Sequence, residues 1–479
     1  MERRELLKRA GVGGAVGVTG IVAYDRLRDD GEPAGAGESA PNDSDPPAED
    51  DEEPPPRYAD EFGTVADVVR AGADPSGSEP IGDVLTDLAG DDTLLSFPAG
   101  TYRFPRVELS GFDHLGIAAA GDERPTFRAP AGSCGDMGRH ARFLDVTDFL
   151  LDGIDFEFGA EGAGGSVAVI AAGDAVVRDV TVEGSCRNQT SMFRMEIRNP
   201  DGTGVAENVR VRDDQDSTWM TGAYVGEEHS GEITFRGCEF SEFTDNGLYG
   251  SAPGVEGGGD GAVHTVDGRF ENNNISNIRL GSTGSTARGD SVVVESAPDA
   301  ERVNLRGIRF RRGSEQTVED CEVRFGSAVR ESFGAIVYHA DNRGARVIDS
   351  HVTVDSDGVP AVRAFYATDE AGGAPVLEGL TIDGEARRGF AVDVEGRNGT
   401  SIRNCAIEQS GGNRDGIRLA YSEDCELVDS RVDVTGYPLI LRDASVAIRN
   451  TTFVTPDGER HVDRMDAGPG DFRPEAWAS

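Results

Sequence analysis

From Gly111 onward the chain is written in short runs where apolar and polar residues alternate, and helical periodicity is almost absent. One frame recurs: an apolar residue, two polar ones, a small or apolar one, a polar one and an apolar one. It is clearest at SIRNCAI (Ser401–Ile407), ELVDSRV (Glu426–Val432) and AIRNTTF (Ala447–Phe453). Earlier copies are anchored at Leu151/Ile154/Phe156, Val177/Val180/Val182, Ala206/Val209/Val211, Phe235/Cys238/Phe240, Phe270/Asn273/Ile275 and Leu305/Ile308/Phe310. Further ones stand at Val318/Cys321/Val323, Val347/Ser350/Val352 and Leu377/Leu380/Ile382. The copies lie roughly 21 to 35 residues apart, a spacing that suits one coil of a parallel β-solenoid. β-branched residues fill the runs and Gly, Asn and Asp separate them, as strands and turns require.

Each frame is followed by a polar loop and a second short strand, among them MFRM (Met192–Met195), GLYG (Gly247–Gly250), NIRL (Asn277–Leu280), AVRA (Ala361–Ala364) and GIRL (Gly416–Leu419). Alternate residues of a strand face opposite sides. With Leu248, Ile278, Val362 and Ile417 turned inward, Tyr249, Arg279, Arg363 and Arg418 face outward, and Arg194 is expected to join them. Stacked coils repeat at about 4.8 Å, so these residues should line one exposed sheet face.

Charge narrows the partners. The chain of 479 residues carries a formal net charge of −41, and Lys8 is its sole lysine. Such a surface repels phosphate backbones and excludes nucleic acid as a partner. Carboxylate in this excess, with arginine supplying the cations, is the expectation for a halophilic protein. Arg3-Arg4, ahead of a short glycine-rich apolar run, resembles a twin-arginine export signal over residues 1–28. That run is too short to predict a membrane span, so a membrane attachment requires the signal to be retained. The expectation is an extracellular or cell-surface protein. Residues 29–56, rich in Asp, Glu, Pro, Gly and Ser, read as a flexible linker. Cys238, Cys321 and Cys405 share one slot of the frame and read as small core residues rather than metal ligands.

Residues 57–110 do not carry the frame, with a short helix expected over Ile81–Leu88 and a strand over Thr93–Phe97. Gly72-Ala73, Asp74, Gly77, Ile81, Leu85, Leu88, Phe97-Pro98, Gly100 and Tyr102 resemble the opening segment of pectate-lyase-superfamily proteins. The resemblance implies an all-β fold, a right-handed parallel β-helix with a short N-terminal capping helix; the frames place its coils over residues 111–455, and residues 456–479, polar and without the frame, read as a terminal extension. It implies a carbohydrate partner but not a chemistry, because that superfamily includes lyases, glycosidases, epimerases and non-catalytic binders.

The longest gaps between frames fall in Phe235–Leu305, where insertions would gather on a binding face. Thr244-Asp245-Asn246-Gly247 is loosely similar to an element of polygalacturonase-type β-helices, whose Gly-His-Gly and Arg-Ile-Lys are missing here. Two mechanisms stay open. A glycosidase would pair Asp214 or Asp216 with Asp245 as acid and base. A polysaccharide lyase would use Arg279, His264 or Tyr249 as base, with Arg363 or a bound Ca²⁺ on the uronate carboxylate; an unperturbed arginine is a poor base, which favours the other two. Asn246, Tyr249, Arg194, Arg363 and Arg418 are the expected substrate contacts. The expected partner is a polysaccharide or cell-envelope glycan, bound for cleavage or for adhesion.

Overall fold

A left-handed turn residue inside each frame sets the architecture. The computed structural model describes residues 56–133, 140–184, 191–212, 219–300, 302–330, 332–368, 372–456 and 462–465. In the clearest coil, strand Cys425–Val428 ends at Asp429 (φ 50°), Ser430 turns inward, and strand Arg431–Val434 begins. Asp179, Asn208, Asp267, Asp320, Asp349, Asn404 and Asn450 hold the equivalent position at φ between 46° and 54°. Asn, Asp and Gly tolerate this conformation where other residues do not. One such residue bends the chain from one sheet into the next.

Each coil contributes a strand to each of three parallel sheets, of 15, 14 and 14 strands. The two strands of the frame belong to the first and second sheets, and the strand after the polar loop belongs to the third. Pairing is in register throughout the third sheet's inner row: Leu248, Ile278, Ile308, Ile336, Val362, Val392, Ile417 and Leu439 stack on one another, all buried. Rows like this one fill a single narrow apolar core. The inward slot after the turn takes Cys or Ser because a short donor there reaches a backbone carbonyl. The Ser430 hydroxyl donates to Val428 O at 2.8 Å, and the Cys321 thiol to Glu319 O at 3.3 Å. Cys238, Cys321, Cys405 and Cys425 are buried and free of disulfides.

The expected helix forms over Gly82–Leu88 and buries Leu85, with Ile81 just ahead of it. It packs beside strand Val107–Ser110, where the third sheet opens. At the other end, Val462–Met465 adds one more strand to that sheet beside Leu439–Arg442, so the polar extension is partly built into the solenoid.

Two frame assignments are corrected. Phe270 closes a coil whose frame is Thr265/Gly268/Phe270, with Asp267 as its turn. Leu305–Phe310 contains no turn and is a third-sheet strand. A further copy, Ala287/Asp290/Val292, lies between them with Gly289 (φ 65°) as its turn. Pattern reading passed over both real copies because Thr265 stands at the frame's opening apolar position in one and Asp290 fills the small or apolar slot in the other. Phe235–Leu305 is therefore regular.

Candidate functional site: the outer face of the third sheet

Outward positions of the third sheet form one continuous row. Glu108, Arg142, Ala168, Arg194, Tyr224, Tyr249, Arg279, Arg309, Val337, Arg363, Asp393, Arg418 and Ile440 pair in direct register. Of the expected contacts, Arg194, Tyr249, Arg279, Arg363 and Arg418 all stand on this row.

Towards both ends, the row's cations are matched by carboxylates. Arg142 meets Glu108 at 2.5 Å, and Arg194 meets Glu196. Arg418 contacts Asp393 at 2.6 Å and also Glu395, while Arg363 lies 3.9 Å from Asp393. The middle is different. Arg279, Arg306 and Arg309 are at least nine-tenths buried, and among the described residues none has a carboxylate within ion-pair distance. Their Nε atoms are buried without a hydrogen-bond acceptor. Nearby, Arg311 forms a two-pronged pair with Asp341 at 2.7–3.0 Å, and Arg312 reaches the same carboxylate at 3.8 Å.

Burial and mutual repulsion both act on this cluster. Desolvation, then the charges of Arg306, Arg279 and Arg311, push the Arg309 guanidinium far below its ordinary value. Desolvation first, then Arg279, Arg311 and Arg363, lowers Arg306 to about 9. Burial lowers Arg279 to about 10 against the opposing pull of Tyr249 and Asp245. A guanidinium gives up its proton with great difficulty, so an approaching anion relieves the repulsion more readily than deprotonation does. His339 Nδ1 donates to Asp341 at 2.8 Å, and burial lowers its imidazole to about 4. The neutral ring adds no further cation.

A β-bulge shapes the cluster. Leu305 pairs with Ser332 and Arg306 with Gly334, which leaves Phe333 as the extra residue. Bulges re-aim side chains next to functional sites. Here the Arg306 guanidinium lies 4.3 Å from the centre of the Phe333 ring, and one of its terminal nitrogens donates to Ile275 O at 3.1 Å. Arg363 stacks on Phe365 at 4.6 Å, Arg279 on Tyr249 at 4.0 Å, and the Tyr224 and Tyr249 rings sit 5.3 Å apart. The face thus sets flat rings against cations.

Two other buried arginines show the contrast. Arg414 donates to Gln409 Oε1 at 2.6 Å and to the carbonyls of Arg388 and Val359 at 2.8 Å each. Arg397 donates to the carbonyls of Phe365, Asn342, Gly373 and His339. Those two tie coils together inside the solenoid. Among the described residues, Arg279 and Arg309 have no such acceptors.

Other expected site residues separate. Asp245 lies beside the row, accepts the Thr221 hydroxyl at 2.7 Å and acts electrostatically on Arg279. Asn246 is corrected: it shares the inward side with Leu248, is fully buried, and its amide finds no hydrogen-bond partner, so it cannot touch a ligand on the outer face. His264 is on the first sheet, bonded to Thr286 Oγ1 at 2.8 Å and 3.4 Å from Glu232. It is a residue of a different face from Tyr249 and Arg279. Asp214 and Asp216 lie outside the described residues.

Arg306, Arg309, Phe333 and Phe365 were not expected. The signal for Arg309 was present: Gly307-Ile308-Arg309-Phe310 repeats the sense of Asn277-Ile278-Arg279-Leu280 and Gly416-Ile417-Arg418-Leu419. Among the described residues, no group of three or more His, Cys, Asp or Glu is placed to hold a metal, and no helix is long and apolar enough to cross a membrane.

No protein-family model matches the chain, and no curated protein matches it. Solved structures resemble it at low identity. The catalytic unit of a thermostable GH87 α-1,3-glucanase from Streptomyces thermodiastaticus is 14% identical over 87% of this chain and 70% of that one, with a TM-score of 0.42. The surface adhesin PfbA of Streptococcus pneumoniae is 11% identical over 83% and 93%, at 0.42. The A-module of the Azotobacter vinelandii mannuronan C-5 epimerase AlgE4 is 11% identical over 85% and 98%, at 0.35.

Proposed function

We propose that this protein binds a linear acidic polysaccharide along the outer face of its third sheet. One observation carries the reading: Arg279, Arg306 and Arg309 are buried together without carboxylate partners among the described residues, in a chain where acids outnumber basic residues 87 to 46. With carboxylates so abundant, three buried arginines with no ion pair among the described residues are best accounted for by an external anion. The rings of Tyr224, Tyr249, Phe333 and Phe365 supply flat apolar surfaces of the kind that sugar rings pack against. The rung spacing of about 4.8 Å suits repeated contacts along a chain laid across the coils.

A second reading, cleavage by β-elimination, is favoured by the Tyr249–Arg279 stack with Asp245 beside it. Arg279 would neutralise a uronate carboxylate, which acidifies the neighbouring C–H; Tyr249 or Asp245 would take that proton while the glycosidic oxygen leaves. Export by the twin-arginine route, ahead of the acidic linker, would set this face towards an envelope or extracellular glycan.

The test incubates the full chain with immobilised acidic and neutral polysaccharides, and separately with uronate glycans in solution. Retention on acidic but not neutral glycans is expected. New absorbance from unsaturated sugars would establish cleavage. Equal retention on neutral glycans, or none on any, would sink the reading.

A further inference from the structure

We propose that the Arg279–Arg306–Arg309 cluster is a subsite for a sulfate ester carried by the glycan. The inference rests on the acidic-polysaccharide reading and names the charged group that this part of the face takes.

The first ground is stoichiometry. Arg279 and Arg309 are adjacent rungs, and the bulge at Phe333 brings Arg306 into the electrostatic range of Arg279. A carboxylate offers two oxygens in one plane and a single guanidinium can engage both, as Arg311 does with Asp341, which Arg312 and His339 also reach. A sulfate ester offers three terminal oxygens spread about its axis, one for each of three donors. The second ground is burial. The three arginines are 8%, 5% and 8% exposed, so their ligand must shed its own water to reach them. A sulfate ester is weakly hydrated and stays ionised across the whole working pH range, while a carboxylate is strongly hydrated and meets a steeper desolvation cost. Guanidinium is itself weakly hydrated, so the pair is matched. The third ground is setting. Tyr249 stacks against Arg279 and Phe333 against Arg306, so aromatic rings border the cluster where the bearing sugar would lie. Other cations along the face are already held: Arg194, Arg311 and Arg418 contact Glu196, Asp341 and Asp393.

Calorimetric titration of the full chain tests this with four ligands: a sulfated galactan oligosaccharide, its desulfated counterpart, a uronate oligosaccharide of equal length, and inorganic sulfate. The sulfated sugar is expected to bind about tenfold or more tighter than the uronate sugar, with inorganic sulfate weak but competitive. Arg309→Gln should weaken the sulfated sugar by about tenfold or more, and Arg128→Gln, a second-sheet residue paired with Glu157, should leave it unchanged. Because the comparison among ligands uses the unaltered protein, the test stands even if Arg309→Gln does not fold. Equal or tighter binding of the uronate sugar overturns the sulfate assignment and leaves the acidic-polysaccharide reading intact. Inorganic sulfate binding as tightly as the sulfated sugar overturns it too, by making the cluster a site for free anions. No binding of either charged sugar removes both readings.

Discussion

Asp290 occupies the inward slot that Cys238 fills two coils earlier and Cys321 one coil later, and there it is 1% exposed. Its carboxyl accepts the Thr265 hydroxyl at 2.5 Å and the Gly268 N–H at 2.8 Å. Burial raises its pKa to about 7; those two bonds oppose the rise and the charge of Asp267 adds to it. The thiols of Cys238 and Cys321 also feel the charge of Asp290, and burial pushes Cys238 up to about 12, so both stay neutral. Between the unfolded value near 4 and the folded value near 7, the folded chain holds a proton that the unfolded chain has released. Stability from this group is full below about pH 4 and is lost as pH rises to about 7. Asp290→Asn keeps the acceptor for Gly268 and mimics the protonated acid. It is expected to raise the unfolding free energy at pH 8 by on the order of 1 kcal/mol or more, and to flatten the decline between about pH 4 and 7. A variant less stable than the parent at pH 8 would show that the ionised carboxylate is the form the fold needs.

At the scale of the element, the turn between first and second sheets is a single residue at positive φ. The requirement is conformational, so substitution should sort by backbone freedom rather than by charge. Asp320→Gly is expected to cost little. Asp320→Val, which places a β-branched side chain at φ 53°, should cost about 1–2 kcal/mol in urea denaturation. Equal losses in the two variants would mean that the carboxylate matters and the conformation does not. This same turn explains how much of the molecule was legible in the sequence. The recurring Asn, Asp or Gly between two apolar residues is the physical cause of the frame, which is why the solenoid could be read from it. The reading slipped where the opening position held Thr265 or the inward slot held Asp290, since neither signals burial by its chemistry. The outward row was legible for a similar reason: strict alternation fixes Tyr249, Arg279, Arg363 and Arg418 once Leu248 and its equivalents are inside. Asn246 failed by the same rule, being two residues before Leu248 and so on its side. Arg306 could not be found this way, because a bulge breaks the alternation and no periodic pattern encodes it. His264 was grouped with Arg279 by closeness in sequence, whereas a three-sheet coil sends residues fifteen apart to different faces.

Across the whole molecule, charge decides how the solenoid responds to salt. Arginine–carboxylate pairs run between neighbouring coils: Arg128 with Glu157, Arg324 with Glu295, Arg346 with Glu378 and Arg403 with Glu426. All lie at the surface, with only the Glu426 side chain half-buried, and such pairs contribute about 0–1 kcal/mol each. Salt weakens them. It also weakens the repulsion among carboxylates that have no partner, and these are many: 46 basic residues cannot neutralise 87 acids, which leaves the net charge of −41. The repulsive term is the larger because every unpaired carboxylate opposes all the others along a stack of coils about 4.8 Å apart. Raising salt from about 0.1 M to about 1 M shortens the screening length from about 10 Å to about 3 Å, below the spacing of the coils. The thermal unfolding midpoint is therefore expected to rise over that range, with potassium chloride and sodium chloride acting alike because the effect is screening. A midpoint that falls with salt would show that the inter-coil pairs outweigh the net charge. The buried arginine cluster responds less than the surface does, because a low-dielectric setting screens its charges poorly. Moderate salt should then firm the scaffold while leaving the attraction between the three guanidinia and an anion largely in place. A glycan with isolated anionic groups would bind under those conditions, although the molecule as a whole repels it.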